Sequence, residues 1–430
     1  MAKQVAEDGI SGYQIQSYGH ELTSTGQHVP RYFSQPLFKH PPVFTFLLAF
    51  MGRFFGVHAV PFIPIGAGVL LIPLVYLIGR ETAGHNVGLA AAVLMWLDPV
   101  NGISSQKIWM DTTIAFFSTL ALLFFILGLK RQKNMYYVLG GVAAGLAANT
   151  KYTGILIILA VCLFSLFRQR ELWKNKWFIF SLVLPFLMLL PWGFWNFSVY
   201  GSKFISTQIT IHSGLKRVVD EFRAGIPLLI SIFFFFAGIM GIFFKLKKED
   251  FFKSKIVSPK DQGSNRRILY KISAGFILFF FILLRDHFLK SFSLFSIPTS
   301  SMRMGFFQNE PSYFYFGRLI EYSFFYFFGL AALFLYQPKE FPGLGLLRFA
   351  ALIILLFFII WGNFQCRYIL SAIPFLAVLS AMTLFRTLDF FDRRRLDSLR
   401  FLLVLLVILG VTKLLLLQSV MVFPNFMCYF

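Results

Sequence analysis

Long apolar runs alternate with short polar or basic segments along almost the whole chain. The runs are continuous and do not alternate between apolar and polar residues as half-buried strands do. Repeated runs of about 17–22 residues are typical of helices that cross a bilayer core of about 30 Å. We therefore predict an all-α, polytopic integral membrane protein with about twelve transmembrane helices. Their predicted bounds are 60–79, 87–98, 111–129, 135–149, 153–167, 177–197, 226–245, 268–284, 320–336, 346–362, 366–385 and 400–421.

One apolar run is too short to cross a membrane. It is VFTFLLAFMGRFFG, which follows paired prolines in FKHPPVF and carries Arg53. A segment of this length with a charged residue favours an amphipathic helix in the membrane interface. The paired prolines are typical of the end of one segment and the first turn of the next helix. We predict that residues 1–59 form an outer loop containing interfacial helices.

Composition and charge exclude two other classes of protein. Hydrophobic residues make up 57% of the chain, charged residues only 14%, and 58 residues are Phe, which excludes a soluble domain. The net charge of +21 could indicate nucleic acid binding. Lys and Arg instead cluster in the loops on one side of the predicted bundle, as cytoplasmic loops do. The main clusters lie at 130–133, 168–176, 245–271 and 386–400.

The orientation of the spans gives the domain organisation. We interpret residues 1–430 as one membrane domain, in which the bundle 60–421 carries outer loops 1–59 and 285–319 and a basic cytoplasmic loop 245–271. In this orientation the first outer loop begins at Met1 with no preceding apolar run. We therefore expect that a first transmembrane helix is missing from this sequence.

The cysteines and histidines do not have the spacing of a metal site. Cys162, Cys366 and Cys428 form no CxxC pair, and His40, His212 and His287 form no HExxH motif. We predict no metal and no other cofactor, with a bound divalent metal as the less favoured alternative. No disulfide framework is predicted either.

Two acidic positions on the outer side are candidates for chemistry. Glu7 and Asp8 precede a helix-like pattern that includes Tyr13, and Asp111 opens an apolar run in QKIWMDTTIAFF. Each acid could instead be an N-terminal helix cap. A carboxylate inside a membrane helix costs a few kcal/mol on insertion scales, so Asp111 is either exposed to water or functional.

Cations lie on the same predicted face. Lys39 precedes the paired prolines, and Lys151 lies in the short turn TKYT between two apolar runs. Either lysine could simply reach the lipid headgroups. Together, separated acids and cations suit group transfer from a lipid phosphate. One carboxylate would take the proton of an acceptor hydroxyl, and the cations would stabilise the charge on the departing phosphate.

The order of these motifs resembles a known superfamily. EDG…Y, HPP, an aspartate opening a span, TKYTG, PWGFWN…YG and RY…P follow one another as in the membrane glycosyltransferases of the GT-C fold. The nearest groups are the protein O-mannosyltransferases, the lipid A aminoarabinose transferases and the rhizobial lipopolysaccharide glycosyltransferases. The resemblance covers residues 5–205 and then rests on Arg367, Tyr368 and Pro374. The protein O-mannosyltransferases carry Asp-Glu where this chain has Glu7-Asp8, Trp195 replaces a common arginine, and Lys203 replaces a common proline.

The resemblance implies a function and a site. Such enzymes move a sugar from a polyprenyl phosphate to an acceptor hydroxyl on the extracytoplasmic face, usually with inversion, and have thirteen spans. The implied catalytic residues are Asp8, Asp111 and Glu7, the implied donor-phosphate ligands are Lys39, Lys151 and Arg367, and the implied supporting residues are Tyr13, His40 and Tyr368.

The expected partners are a polyprenyl-phosphate-linked sugar, the membrane and a lipid, glycan or protein acceptor, and nucleic acid is not expected. The expected location is the bacterial inner membrane. The alternatives are a transporter or lipid flippase, and an inactive member of the superfamily.

Overall fold

The computed structural model describes residues 40–200, 314–334, 341–360, 365–393 and 395–419. Within these residues the fold is all-α, as predicted, and contains no strand. Four short 3-10 helices, Val57–Ala59, Tyr152–Ile155, Arg170–Lys174 and Cys366–Ser371, connect the longer helices. The α-helices are α1 (Val43–Phe55), α2 (Phe62–Ala83), α3 (His85–Trp96), α4 (Pro99–Ser105), α5 (Asp111–Arg131), α6 (Asn134–Thr150), α7 (Leu156–Arg168), α8 (Lys176–Tyr200), α9 (Phe314–Tyr322), α10 (Phe325–Phe334), α11 (Pro342–Ile360), α12 (Ile373–Arg393) and α13 (Asp397–Leu417).

Six of the described helices are long and apolar enough to cross a membrane. They are α2, α5, α8, α11, α12 and α13. Helices α3 and α4 together would make a seventh, but they are bent by 55° at their junction and form either a broken span or a re-entrant loop. The predicted spans 226–245 and 268–284 lie outside the described residues.

Four predicted spans within the described residues do not correspond to any of these six helices, namely 87–98, 135–149, 153–167 and 320–336. The predicted helix 320–336 is divided into α9 and α10, because the chain leaves the helix at Ser323, whose hydroxyl accepts a hydrogen bond from the backbone N–H of Phe325 at 3.3 Å. The predicted helix 366–385 starts too early, since 366–371 is a 3-10 helix and α12 begins at Ile373. Pro374 lies in the first turn of α12, where its missing N–H needs no partner.

Helices α5 and α12 lie in the interior of the bundle. Residues 373–383 are buried on every side of α12, as expected for a helix surrounded by other helices. Nearly three quarters of the hydrophobic part of α5 is buried. In contrast, α13 and α8 expose large apolar side chains such as Phe401 and Phe194, which suits contact with lipid.

The glycines of α6 let it lie very close to both of its neighbours. A Cβ atom at Gly141 would lie 2.6 Å from the carbonyl oxygen of Ser181 in α8. A Cβ atom at Gly140 would lie 3.0 Å from the ring of Phe125 in α5. Small residues are used in this way where membrane helices pack closely. The packing fixes the C-terminal end of α6, from which Lys151 follows.

The bent pair α3 and α4 is tied to α10 by a buried carboxylate. Asp98 is the N-cap residue of α4, and its side chain accepts a hydrogen bond from the backbone N–H of Asn101 at 2.8 Å. Its other oxygen accepts a hydrogen bond from the hydroxyl of Tyr326 at 2.6 Å. Asp98 is only 1% exposed. Asp98 therefore begins α4 and also joins distant parts of the chain.

The two ends of α5 carry different charged groups. At its C-terminal end, Lys130 pairs with Glu81 at 3.1 Å, and Arg80 pairs with the same carboxylate at 2.9 Å. At its N-terminal end lies Asp111. The basic residues around Glu81 and the carboxylate of Asp111 are thus separated by the length of a membrane-crossing helix.

Candidate functional site

Asp111 is buried at the first turn of α5. The residue is 4% exposed, and a carboxylate at this end of a helix is favoured by the helix dipole. The N-cap residue is Met110, and no side chain makes a cap hydrogen bond there. The alternative that Asp111 acts as an N-cap is therefore wrong. Its carboxylate faces two cations instead.

Lys151 reaches Asp111 from the end of α6. It is the C-cap residue, and its extended backbone (φ −158°) turns the chain out of the helix. Its Nζ atom donates a hydrogen bond to Oδ1 of Asp111 at 3.0 Å. The same Nζ lies 4.1 Å from the centre of the Tyr368 ring, a cation–π contact. Lys151 is therefore held within the protein and does not extend freely to lipid headgroups.

Arg367 completes the cluster from the short helix Cys366–Ser371. Its Nε atom lies 3.4 Å from Oδ2 of Asp111 and donates a hydrogen bond to Oε1 of Gln365 at 2.7 Å. Its guanidinium group stacks on the ring of Trp109, 4.2 Å from the ring centre. The structure thus brings together four of the predicted site residues, Tyr368 and the three charged residues Asp111, Lys151 and Arg367. We call the three charged residues the Asp111–Lys151–Arg367 triad.

The charge of the triad suits an anionic ligand. One carboxylate and two cations leave a local excess of one positive charge. The side chains of Asp111, Lys151 and Arg367 are only 6%, 13% and 19% exposed, so water screens them weakly. Because each carboxylate oxygen faces a cation, Asp111 is suited to holding the two cations in place.

Aromatic and amide groups that the sequence reasoning missed surround the triad. Trp109 supports Arg367, and Phe358 stacks on the Tyr368 ring at 5.6 Å. The hydroxyl oxygen of Tyr315 accepts a hydrogen bond from the backbone N–H of Gln365 at 3.1 Å. The sequence offers one signal for Trp109 as a site residue, since it lies two residues before Asp111 in KIWMD. No sequence signal marks Gln365 or Tyr315.

Several buried polar atoms on residues near Asp111 or Arg367 in the chain lack a hydrogen-bond partner among the described residues. They are Oγ1 of Thr112, Oγ1 of Thr113 and Nε2 of Gln365. Buried polar atoms are rarely left unpaired, and an exception calls for an explanation such as a bound water or a ligand. The N-terminal end of α5 is therefore rich in hydrogen-bonding capacity that the described protein does not use.

Helix α1 packs beside the Lys151 end of the site. Ala49 and Phe46 of α1 meet Trp192 of α8 and Tyr152, whose hydroxyl accepts a hydrogen bond from Nε1 of Trp192 at 3.0 Å. The short helix predicted after the paired prolines is confirmed, and it exposes three phenylalanines. These are Phe50, Phe54 and Phe55. An exposed apolar face of this kind agrees with a position in the membrane interface.

The remaining predicted site residues are only partly covered by the structure. His40 is exposed just before α1. Glu7, Asp8, Tyr13 and Lys39 lie outside the described residues. No group of three or more His, Cys, Asp or Glu residues that could hold a metal ion occurs within the part of the chain that the structure describes.

The chain is similar to known enzymes of lipid-linked sugar transfer. The sequence model of the family described as dolichyl-phosphate-mannose-protein mannosyltransferase matches residues 39–195. No curated protein sequence matches the chain. The matched segment contains HPP, Asp111, TKYTG and PWGFW, which are motifs that carried the predicted resemblance.

Two groups of solved structures share the fold. ArnT from Cupriavidus metallidurans, solved in the apo state and bound to undecaprenyl phosphate, is 16% identical with a TM-score of 0.50 over 87% of this chain and 55% of that chain. The archaeal oligosaccharyltransferase AglB from Archaeoglobus fulgidus, in complex with an inhibitory peptide and a dolichol-phosphate, is 20% identical with a TM-score of 0.51 over 89% of this chain and 47% of that chain. The chain spans about half the length of these proteins. The predicted resemblance to the GT-C fold is confirmed, and the chain is an integral membrane protein.

Proposed function

We propose that the chain is a membrane glycosyltransferase that takes a sugar from a polyprenyl phosphate and passes it to an acceptor hydroxyl. The observation that carries the proposal is the buried Asp111–Lys151–Arg367 triad, which is assembled from three separate parts of the fold. The match to the mannosyltransferase family over residues 39–195 supports the same activity. So do the undecaprenyl phosphate in ArnT and the dolichol-phosphate in AglB.

In this proposal Lys151 and Arg367 bind the phosphate of the donor. Arg offers several N–H groups in a planar fork that matches phosphate oxygens, and Lys adds a compact charge. Because both are mostly buried, their attraction for the negative charge that builds up on the departing phosphate is strong. The excess of one positive charge in the triad matches the single negative charge of a phosphodiester. The lipid tail would lie between the helices.

The chemical step needs a base that the triad does not supply. Both oxygens of Asp111 face cations, so we assign Asp111 to positioning Lys151 and Arg367. We propose that Asp8, with Glu7 beside it, accepts the proton of the acceptor hydroxyl. The acceptor oxygen then bonds to the anomeric carbon while the bond from that carbon to the phosphate oxygen breaks. Attack from the side opposite the phosphate gives inversion and releases the polyprenyl phosphate.

We propose that this reaction takes place on the extracytoplasmic face of a bacterial inner membrane. The cluster of Arg80, Lys130 and Arg131 around Glu81 lies at the other end of α5. Basic residues favour the cytoplasmic side of a membrane helix, which supports a position of the triad on the opposite side. The acceptor is a lipid, a glycan or a protein hydroxyl.

The test is sugar transfer by the purified protein from a panel of radiolabelled polyprenyl-phosphate sugars. We expect transfer from one donor, and we expect Asp8→Asn to lose about 10²–10⁴-fold in rate because a general base is removed. Asp392→Asn, at an exposed ion pair with Arg400, is the matched control and should keep full activity. Folded wild-type protein that transfers no sugar in the presence of candidate acceptors would refute the proposal.

A transporter or lipid flippase is the second candidate, because charged groups also lie inside the bundle. Glu321 pairs with Arg318 at 2.7 Å just before the break between α9 and α10. Nζ of Lys413, near the C-terminal end of α13, donates a hydrogen bond to the backbone carbonyl of Glu321 at 3.3 Å. Broken helices with internal charges are typical of transporters. This candidate would be favoured if the wild-type protein moved a lipid or sugar across vesicle membranes and showed no sugar-transfer activity. The flux should then be lost in Lys413→Met.

A further inference from the structure

We infer that Gln365 is a further donor-binding residue, whose side-chain amide nitrogen binds a non-bridging phosphate oxygen of the lipid-linked sugar. The inference rests on the proposed function and adds to it a residue that neither the motifs nor the family resemblance indicates. It is carried by the position of a fully buried amide group directly beside Arg367.

Gln365 is held by one hydrogen bond of its backbone and one of its side chain. Its backbone N–H donates a hydrogen bond to the Tyr315 hydroxyl at 3.1 Å, and its side-chain Oε1 accepts one from Nε of Arg367 at 2.7 Å. Tyr315 is itself completely buried. Gln365 is therefore a buried residue whose position is fixed by the protein around it.

The contact with Arg367 fixes which way the amide points. A guanidinium group can only donate hydrogen bonds, so the atom of Gln365 that faces it must be the oxygen. The NH₂ group then occupies the other position of the same planar amide. Nε2 is buried and has no hydrogen-bond partner among the described residues, while Gln365 is 0% exposed.

An unpaired amide donor at this place needs an acceptor. Leaving a buried donor unsatisfied is destabilising, so such atoms are normally paired with protein, water or ligand. The neighbouring Arg367, which donates to Oε1 of the same amide, carries only N–H groups and cannot accept a hydrogen bond from Nε2. A ligand with several acceptor oxygens and a negative charge satisfies both the Gln365 amide and the Arg367 guanidinium. A phosphate group has this chemistry, whereas a sugar hydroxyl carries no charge to match the two cations of the triad.

The experiment compares two lipids that differ only in the phosphate. Undecaprenyl phosphate and the neutral alcohol undecaprenol are titrated into the purified full-length protein, and binding is followed by tryptophan fluorescence. Gln365→Leu has a similar volume and no donor. Gln365→Glu keeps an acceptor for Arg367 but replaces the donor with a negative charge. Gln132→Leu is the matched control, since the amide of Gln132 lies at the other end of α5 and donates to the carbonyl of Leu129 at 2.8 Å.

We expect Gln365→Leu to weaken the binding of undecaprenyl phosphate about 10–100-fold, the usual effect of one hydrogen bond to a charged group. Gln365→Glu should weaken it further, and Gln132→Leu should not change it. Binding of undecaprenol should be the same in all four proteins, because that lipid has no phosphate. A role of Gln365 in packing alone would not produce this difference between the lipids.

Three results would overturn the inference. If Gln365→Leu and Gln365→Glu both bind undecaprenyl phosphate as tightly as wild type while Arg367→Leu does not, Gln365 is not a ligand and the proposed function still stands. If the Gln365 variants weaken the binding of both lipids equally, Gln365 contributes to packing and not to phosphate binding. If wild-type protein does not distinguish undecaprenyl phosphate from undecaprenol, both the inference and the proposed function are wrong. Should one Gln365 variant fail to fold, the other still gives the comparison.

Discussion

Replacing Asp111 by asparagine removes one negative charge from the triad and leaves the size of the side chain almost unchanged. Asparagine can still accept one hydrogen bond through its oxygen, but its amide nitrogen would face a cation. The two positive charges of Lys151 and Arg367 would then be buried together without the carboxylate that separates them. We expect the folded state of Asp111→Asn to be less stable than that of the wild type.

The size of the effect follows from burial. Removing one partner of a buried ion pair costs about 3–5 kcal/mol, because the remaining charge is left uncompensated. Lys151 and Arg367 keep 13% and 19% exposure and their contacts with Tyr368 and Trp109, which lowers the cost. We therefore expect a loss of about 3 kcal/mol in the free energy of unfolding. For a chain of this length this corresponds to a decrease of about 3–4 °C in the unfolding temperature.

The assay is thermal unfolding of the purified protein in detergent, followed by near-ultraviolet circular dichroism. Asp392→Asn is the matched control, because its ion pair with Arg400 is largely exposed and contributes at most about 1 kcal/mol. The double variant Asp111→Asn with Lys151→Met should be more stable than the sum of the two single changes predicts, since only one cation then remains.

The reasoning about the triad would be refuted if Asp111→Asn and Asp392→Asn unfolded at the same temperature. It would also be refuted if Asp111→Asn and Lys151→Met lowered the unfolding temperature by independent, additive amounts. Either result would mean that the charges of the triad do not interact strongly in the folded protein.

Two further predictions concern the packing that supports the site. Tyr326→Phe removes the hydroxyl that donates to the buried carboxylate of Asp98, and we expect the free energy of unfolding to fall by about 1–3 kcal/mol in the same assay. Gly141→Ala would place a methyl group 2.6 Å from the carbonyl oxygen of Ser181, and we expect a loss of about 1–3 kcal/mol. Gly193→Ala is its control, since beyond the adjoining backbone of α8 no atom of the described residues lies within 4 Å of the added group. Equal destabilisation by the two alanines would contradict the close packing of α6 against α8.

The helical architecture could be predicted from the sequence because it depends on local properties. A long apolar run must satisfy its backbone hydrogen bonds internally in lipid, so its length alone indicates a helix. The break at Ser323 could not be predicted in this way, because the sequence around it, EYSFFYFF, is as apolar as a continuous helix. The break depends on a hydrogen bond and on packing between distant helices.

The site could be predicted only in part, because some of its residues are brought together by contacts between distant parts of the chain. Asp111 and Lys151 were identified from the residues, since each is a charged side chain at the end of an apolar run. Arg367 was identified only through the family resemblance, and its contact with Asp111 depends on the tertiary fold. Gln365 carries no charge and has no motif of its own, so its relevance became visible only when its amide was found buried beside Arg367.

The close packing of α6 gives the two cations of the site unequal stiffness. Lys151 follows a helix whose backbone lies directly against that of α8, with no side chain between Gly141 and Ser181 to absorb a shift. Arg367 belongs to a six-residue 3-10 helix, an element with weaker backbone hydrogen bonds. An arriving anion should therefore meet one cation in a fixed position and draw the other toward it. Ligands of different size would then be accommodated by adjustment of the long Arg367 side chain, while Lys151 keeps its position.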